Sequence, residues 1–152
     1  MSDIVDRQTR SRMMAGVKAT DTRPELLVRR LVHRAGFRFR LHVRELPGRP
    51  DIVLPRHRAV IFVHGCFWHG HGCHLFRWPS SREDFWRGKI TANRARDRRA
   101  HRLLKLAGWR VLVVWECALK GSRRLDDEAL SRRMARWLKT ATRSSAVVGR
   151  KT

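Results

Sequence analysis

Apolar residues recur along this chain either at intervals of three and four or in short alternating and continuous runs, and their succession outlines an α/β or α+β protein. Leu27, Val28, Leu31, Val32 and Ala35 share one helical face; Asp21 or Thr22 can cap that helix, Pro24 and Glu25 suit its first turn, and Gly36 stops it. Phe37 to Val43 alternates apolar with basic residues and predicts a half-exposed strand. Pro50-Asp51-Ile52-Val53-Leu54 predicts a short strand, Pro55 to Arg58 a turn, and the wholly apolar Ala59 to Val63 a central strand. If that turn closes a hairpin, Leu54 pairs with Ala59 and Asp51 with Phe62, which sets Asp51 on the face of His64 and beside the carbonyl of Val63. A long helix follows from about Arg82 to Leu106, ended by Gly108, then a buried strand from Trp109 to Trp115. The last helix, Leu125 to Leu138, opens on Asp126-Asp127-Glu128 and buries Leu130, Met134, Trp137 and Leu138. The expected order is helix, three strands, helix, strand, helix: a mixed sheet flanked by helices. Residues 1–20 form a basic arm, 21–139 one domain, and 140–152 a disordered tail in this reading.

Charge narrows the function. Lys and Arg number 35 against 13 Asp and Glu, a formal +22, and the basic residues run from Arg7 to Lys151. Self-repulsion on that scale opposes compaction and asks for a polyanion, most naturally nucleic acid. There is no apolar run long enough to span a membrane and no signal-peptide core in the first twenty residues, so the expected location is the cytosol, where thiols stay reduced.

Candidate chemistry concentrates in Val63 to Phe76, VHGCFWHGHGCHLF. Cys66 and Cys73 flank His71, and Cys117 follows at the end of the next buried strand; if that strand lies beside Ala59–Val63, all four converge. Three thiolates and one imidazole suit a structural Zn²⁺ with no open position. His64, His69 and His74 compete for the imidazole place, and free thiols among ordinary loop histidines are the plainer alternative. Asp51, following Pro50 at a strand head, offers with the Val63 carbonyl two hard ligands for Mg²⁺; a solvated aspartate near a turn is the alternative. Glu25 reads first as an ordinary acid of a helical first turn. Trp86, Lys89, Asn93 and Asp97 line one stripe of the long helix, where Trp86 could stack on a base, Lys89 and Asn93 reach base edges, and Asp97 orient a histidine such as His69. The alternative is a solvated face with Trp86 tucked against the core. Phe67 and Trp68 are adjacent and cannot point the same way from an extended backbone; either could wedge into a duplex or cover the metal site.

These residues, in the segments TRSRMM, LPGRPDIV, VIFVHGCFWH, FWRGKI with Asn93 and RDRR, and GWRVLVVWECAL, resemble the very short patch repair (Vsr-type) mismatch endonucleases from Thr9 to about Leu138. The resemblance implies a restriction-endonuclease-like core and Mg²⁺-dependent nicking of one strand beside a T:G mismatch, beginning the repair of deaminated 5-methylcytosine. It implies that Asp51 and the Val63 carbonyl hold Mg²⁺, and that His69, oriented by Asp97, moves protons. His64 and Glu25 would complete the catalytic set through water around the metal. It assigns Zn²⁺ to Cys66, His71, Cys73 and Cys117. Phe67, Trp68 and Trp86 would form the wedge, Lys89 and Asn93 would contact the mispair, and Met14 would approach from the other groove. The usual core pattern has Asp/Glu-x-Lys after its Pro-Asp; Phe62-Val63-His64 stands there instead, so a histidine-based version is implied. The expected partner is mismatched double-stranded DNA, with mismatch-repair proteins as candidate helpers, for a monomer on the bacterial nucleoid and away from membranes. A restriction-type nuclease without mismatch preference and a non-catalytic zinc-containing DNA-binding module stay open beside it.

Overall fold

In the computed structural model, which describes residues 22–140 and 142–151, four strands form one mixed sheet in sequence order, with helices on both faces. The expectations for the 1–20 arm and for Met14 lie outside the described residues. Helix α1 (Arg23–Arg34) starts where the Thr22 hydroxyl accepts the Glu25 N–H at 3.4 Å, so of the two candidate caps Thr22 is the one used. Strands β1 (Ile52–Leu54) and β2 (Ala59–His64) are antiparallel in the expected register, Leu54 opposite Ala59, and a 3₁₀ turn over Pro55–His57 with left-handed Arg58 joins them. Helix α2 (Glu83–Leu106) crosses over to β3 (Arg110–Trp115), which is parallel to β2.

The expected strand over Phe37 to Val43 does not form. Arg40 alone bridges Val53, exchanging backbone hydrogen bonds of 2.8 and 3.0 Å. His42 then turns left-handed (φ 58), and no ladder can run through that conformation. The tail departs from expectation in the other direction. After helix α3 (Asp127–Thr140), residues Ser145–Val147 form β4, parallel to β3, and Val147 is buried. The cause lies in β3, whose Val111 to Val114 are all buried: such a strand needs a neighbour on each edge, and β2 covers only one.

Two apolar layers follow from strand alternation. Ile52, Leu54, Ala59, Ile61, Leu112 and Val114 pack under α1 and α3, while Val53, Val60, Phe62, Val111 and Val113 pack under Leu104 of α2. Truncating the fully buried Leu104 to alanine would cost about 2–5 kcal/mol. For function, the decisive feature is that His64 and Trp115 are register partners. Two parallel strands therefore end side by side, and the chain leaving each one is delivered to the same edge of the sheet.

Candidate active site and metal centre

The first cluster at that edge is the soft one. Cys66, His71, Cys73 and Cys117 bring one ligand atom each within 4.8 Å of the others. His71 Nδ1 lies 3.5 Å from Cys66 Sγ and 3.7 Å from Cys117 Sγ. A tetrahedral ion with ordinary Zn–S and Zn–N lengths needs a sulfur-to-nitrogen edge of about 3.6 Å, so the residues fit zinc without rearrangement. The His71 ring lies flat on Trp115, 4.2 Å between centroids and 11° between planes, and among the described residues it is the histidine grouped with the three thiols. Burial pushes the Cys66 and Cys117 thiols up, and the neighbouring Cys73 adds to the shift of both.

The hard site lies at the other edge of β2. Strand β1 begins only at Ile52, so Val63 has no partner in it, and Asp51 Oδ2 accepts the Val63 N–H at 2.6 Å instead. N–H and C=O of one strand residue leave on the same side, so the Val63 carbonyl faces the edge that carries Asp51. Glu25, only 4% exposed, joins Asp51 from α1 in a cavity of about 140 Å³ and is paired with Arg29 at 3.3 Å. Burial, reinforced by the Glu25 charge and opposed by the Val63 N–H, pushes the Asp51 carboxyl up to about 7. An anion so placed suits a small divalent cation, which removes that penalty.

Between the two sites stand the histidines. His69 Nδ1 is 2.6 Å from Asp97 Oδ2, joining the loop to α2. His64, 5% exposed, stacks on His69 with ring centroids 3.8 Å apart. Burial, with the neighbouring His69 charge, lowers His64 to about 3, so it is neutral at ordinary pH. Burial works against the Asp97 anion, but the His69 hydrogen bond and the surrounding imidazoles hold its carboxyl below the usual carboxylate range. His69 thus keeps Nδ1 for Asp97 and leaves Nε2 for chemistry.

The aromatics form one block. Residues 66–70 turn rather than extend, which removes the expected divergence: Phe67 and Trp68 meet edge to face at 5.3 Å, and Trp86 touches both at 5.4 and 5.6 Å. Gly70 (φ 63) lets the loop close on α2, since a Cβ there would meet Ile90 at 2.7 Å. Asn93 donates to the Trp68 carbonyl at 2.9 Å and is itself bonded by Arg96, while Lys89 is exposed. The stripe Trp86, Asn93, Asp97 is continuous with buried Ile90, Ala100 and Leu104, so one helix face is core at one end and site at the other.

The family model described as DNA mismatch endonuclease Vsr matches residues 2–75. The DNA mismatch endonuclease Vsr of Escherichia coli strain K12 is 48% identical over 138 residues, 91% of this chain and 88% of that enzyme. The chain belongs to the Vsr family. Two further relatives are type II nicking enzymes: V.XorIIP of Xanthomonas oryzae pv. oryzae, 55% identical over 78% of this chain and 88% of that one, and V.NmeAIP of Neisseria meningitidis, 44% over 79% and 86%.

Three contributors to this Vsr-family site escaped the sequence reading. Trp115 stacks on His71 and meets His64 edge-on at 5.4 Å, spanning the soft cluster and the histidines. His101, one turn beyond Asp97, lies near-parallel to His64 at 6.0 Å and against Phe62 at 5.0 Å. Trp78 extends the aromatic block through Phe76 and lies under Arg87. Only helical spacing from Asp97 signalled His101; Trp115 had the signal of an aromatic at a strand end two residues before a cysteine.

Proposed function

We propose that this Vsr-family chain nicks one strand of duplex DNA beside a T:G mismatch, in a Mg²⁺-dependent hydrolysis that begins the repair of deaminated 5-methylcytosine. One observation carries the reading: the Asp51 carboxylate and the His69–Asp97 pair flank the end of β2, one short loop from a block of three large rings. The E. coli relative is named a DNA mismatch endonuclease, and the +22 charge suits a duplex.

In this reading Asp51 and the Val63 carbonyl hold magnesium, which when bound draws electron density from the scissile phosphate. His69 Nε2 accepts a proton from the water that attacks phosphorus, and the bridging oxygen departs as its bond to phosphorus breaks. Asp97 fixes the tautomer and stabilises the imidazolium, while neutral His64 adds no competing charge. Glu25 supports Asp51 from α1. Phe67, Trp68 and Trp86 enter the stack beside the mispair, with Lys89 and Asn93 at its edge and Met14 from the other groove. Cys66, His71, Cys73 and Cys117 hold structural zinc, which ties the loop to the end of β3. No helix among the described residues is long and apolar enough to cross a membrane, and the proposed setting is a monomer on DNA in a bacterial cytoplasm.

The test is nicking of T:G, C:G and T:A duplexes in several sequence contexts, with Mg²⁺ and with chelator. Nicking of the T:G duplex alone, and only with the metal, is expected. Equal cleavage of paired DNA would make the chain a restriction-type nuclease, and binding without cleavage a DNA-binding module.

A further inference from the structure

The segment after α3 does more than add a strand. Ser144 Oγ accepts the Val111 N–H at 2.9 Å, and Val147 fills a place in the core. Two residues on, the Gly149 N–H points at Cys117 Sγ, 3.3 Å away. Arg150 then fastens the chain by three bonds to the loop after Cys117: its N–H to the Arg123 carbonyl at 2.7 Å, Nη2 to Ser122 O at 2.9 Å and Nε to Arg124 O at 3.2 Å. The approach leaves no room for a side chain. A Cβ on Gly149 would meet the Cys117 carbonyl at 2.6 Å and the Arg123 carbonyl at 2.8 Å, both backbone atoms that cannot rotate away.

We infer that residues 144–150 are a strap that positions Cys117 for zinc, with Gly149 supplying the hydrogen bond that holds this sulfur as a ligand. The proposal rests on the Cys₃His zinc reading and concerns the shell outside it. A thiolate carries residual negative charge even when it binds metal, and an N–H aimed at sulfur stabilises that charge and fixes its direction. Cys66 Sγ receives the corresponding bond from the Cys117 N–H, also 3.3 Å. The two bonds differ in origin: one comes from another member of the ligand set, just after β3, and the other from the segment that follows α3, outside the ligand set altogether. Zinc retention therefore depends on residues well outside the cysteine and histidine motif, and the strap has a geometric reason for glycine at position 149.

The experiment uses the full-length protein purified with its metal. Bound zinc is counted by elemental analysis, and its release to a chromophoric chelator is timed for the wild type, Gly149→Ala and Arg150→Ala, with circular dichroism to check the fold. Gly149→Ala is expected to weaken zinc binding by about 10–100-fold, the range for losing a group that supports a metal ligand. Arg150→Ala, which keeps the N–H but loosens the latch, should release zinc several-fold faster. In the cobalt-substituted protein, the sulfur-to-metal charge-transfer band should shift in Gly149→Ala. Release and spectra matching the wild type in both variants would overturn the strap. If Gly149→Ala does not fold, Arg150→Ala decides by the same criterion. A wild-type protein with no bound zinc would instead overturn the Cys₃His reading, and the strap with it.

Discussion

The imidazole of His64 lies flat on that of His69, with 3.8 Å between centroids and 2° between planes. Stacked rings this close disfavour a positive charge on the buried His64, while His69 is the one whose Nδ1 meets the Asp97 carboxylate. Asp97→Asn should leave zinc content and DNA binding intact while nicking falls by about 10²–10⁴-fold, because the amide cannot stabilise the imidazolium. Single-turnover rates on a T:G duplex measure this; a variant that nicks at the wild-type rate would remove His69 from proton transfer.

His64 also sets an acid limit on the fold. Its folded pKa, about 3, lies below the ordinary histidine value, so the unfolded chain binds the proton first as pH falls. Its contribution is complete above about pH 6.5 and is lost progressively as pH falls from there toward 3, over a span worth up to a few kcal/mol. His64→Phe should flatten that part of a stability–pH curve measured by urea melts.

Asp51 has the opposite sign. A carboxyl raised to about 7 favours the folded, metal-free protein at low pH, and that advantage disappears as pH climbs from the ordinary carboxylate range through 7. Asp51→Asn keeps an acceptor for the Val63 N–H and removes the charge. The variant should melt higher than the wild type at pH 8 without divalent metal, by roughly 1–2 kcal/mol of stability, yet should not nick. A melting point lowered under those conditions would mean the carboxylate is better solvated than its burial implies.

Trp86 anchors the ring block to α2 and touches both loop aromatics. Trp86→Ala should cost about 1–3 kcal/mol of binding to mismatched duplex, the usual worth of one stacking platform, with a smaller effect on paired duplex. Fluorescence anisotropy on the two duplexes checks the difference.

With +22 net charge, binding should release many counterions. If about six to ten phosphates are neutralised, affinity falls by about 10³–10⁵ between 50 and 200 mM salt. A salt titration giving a slope near that of one or two ions would count against an extended contact with the duplex.

Much of this arrangement was legible because it rests on strong local rules. The hairpin register followed from a turn of fixed length between two apolar runs, and with it came the place of Asp51 against β2. The parallel pairing of β2 with β3 was the simplest way to bring Cys117 to Cys66 and Cys73. What failed did so for non-local reasons. The alternation from Phe37 to Val43 is genuine, but one left-handed residue, His42, ends the extension, and no rule of periodicity places a positive φ on a histidine. The β4 strand was missed because its short, weakly apolar sequence gains stability only from the open edge of β3. A strand of four buried residues with one neighbour was the available clue. That His71 is the histidine beside the thiols, stacked on Trp115, depends on how the loop turns back onto the strand ends, which spacing within the loop cannot reveal.

The loop after β2 is fastened at both ends, His64 by its sheet register with Trp115 and His71 by the sulfurs around its Nδ1. His69, the proposed proton-handling residue, and two of the three rings lie on the span between those fixed points. Side chains there can vary one at a time, but the number of residues cannot. An insertion or deletion would shift the rings and the base out of step together, so length is the property of this stretch that selection can least relax.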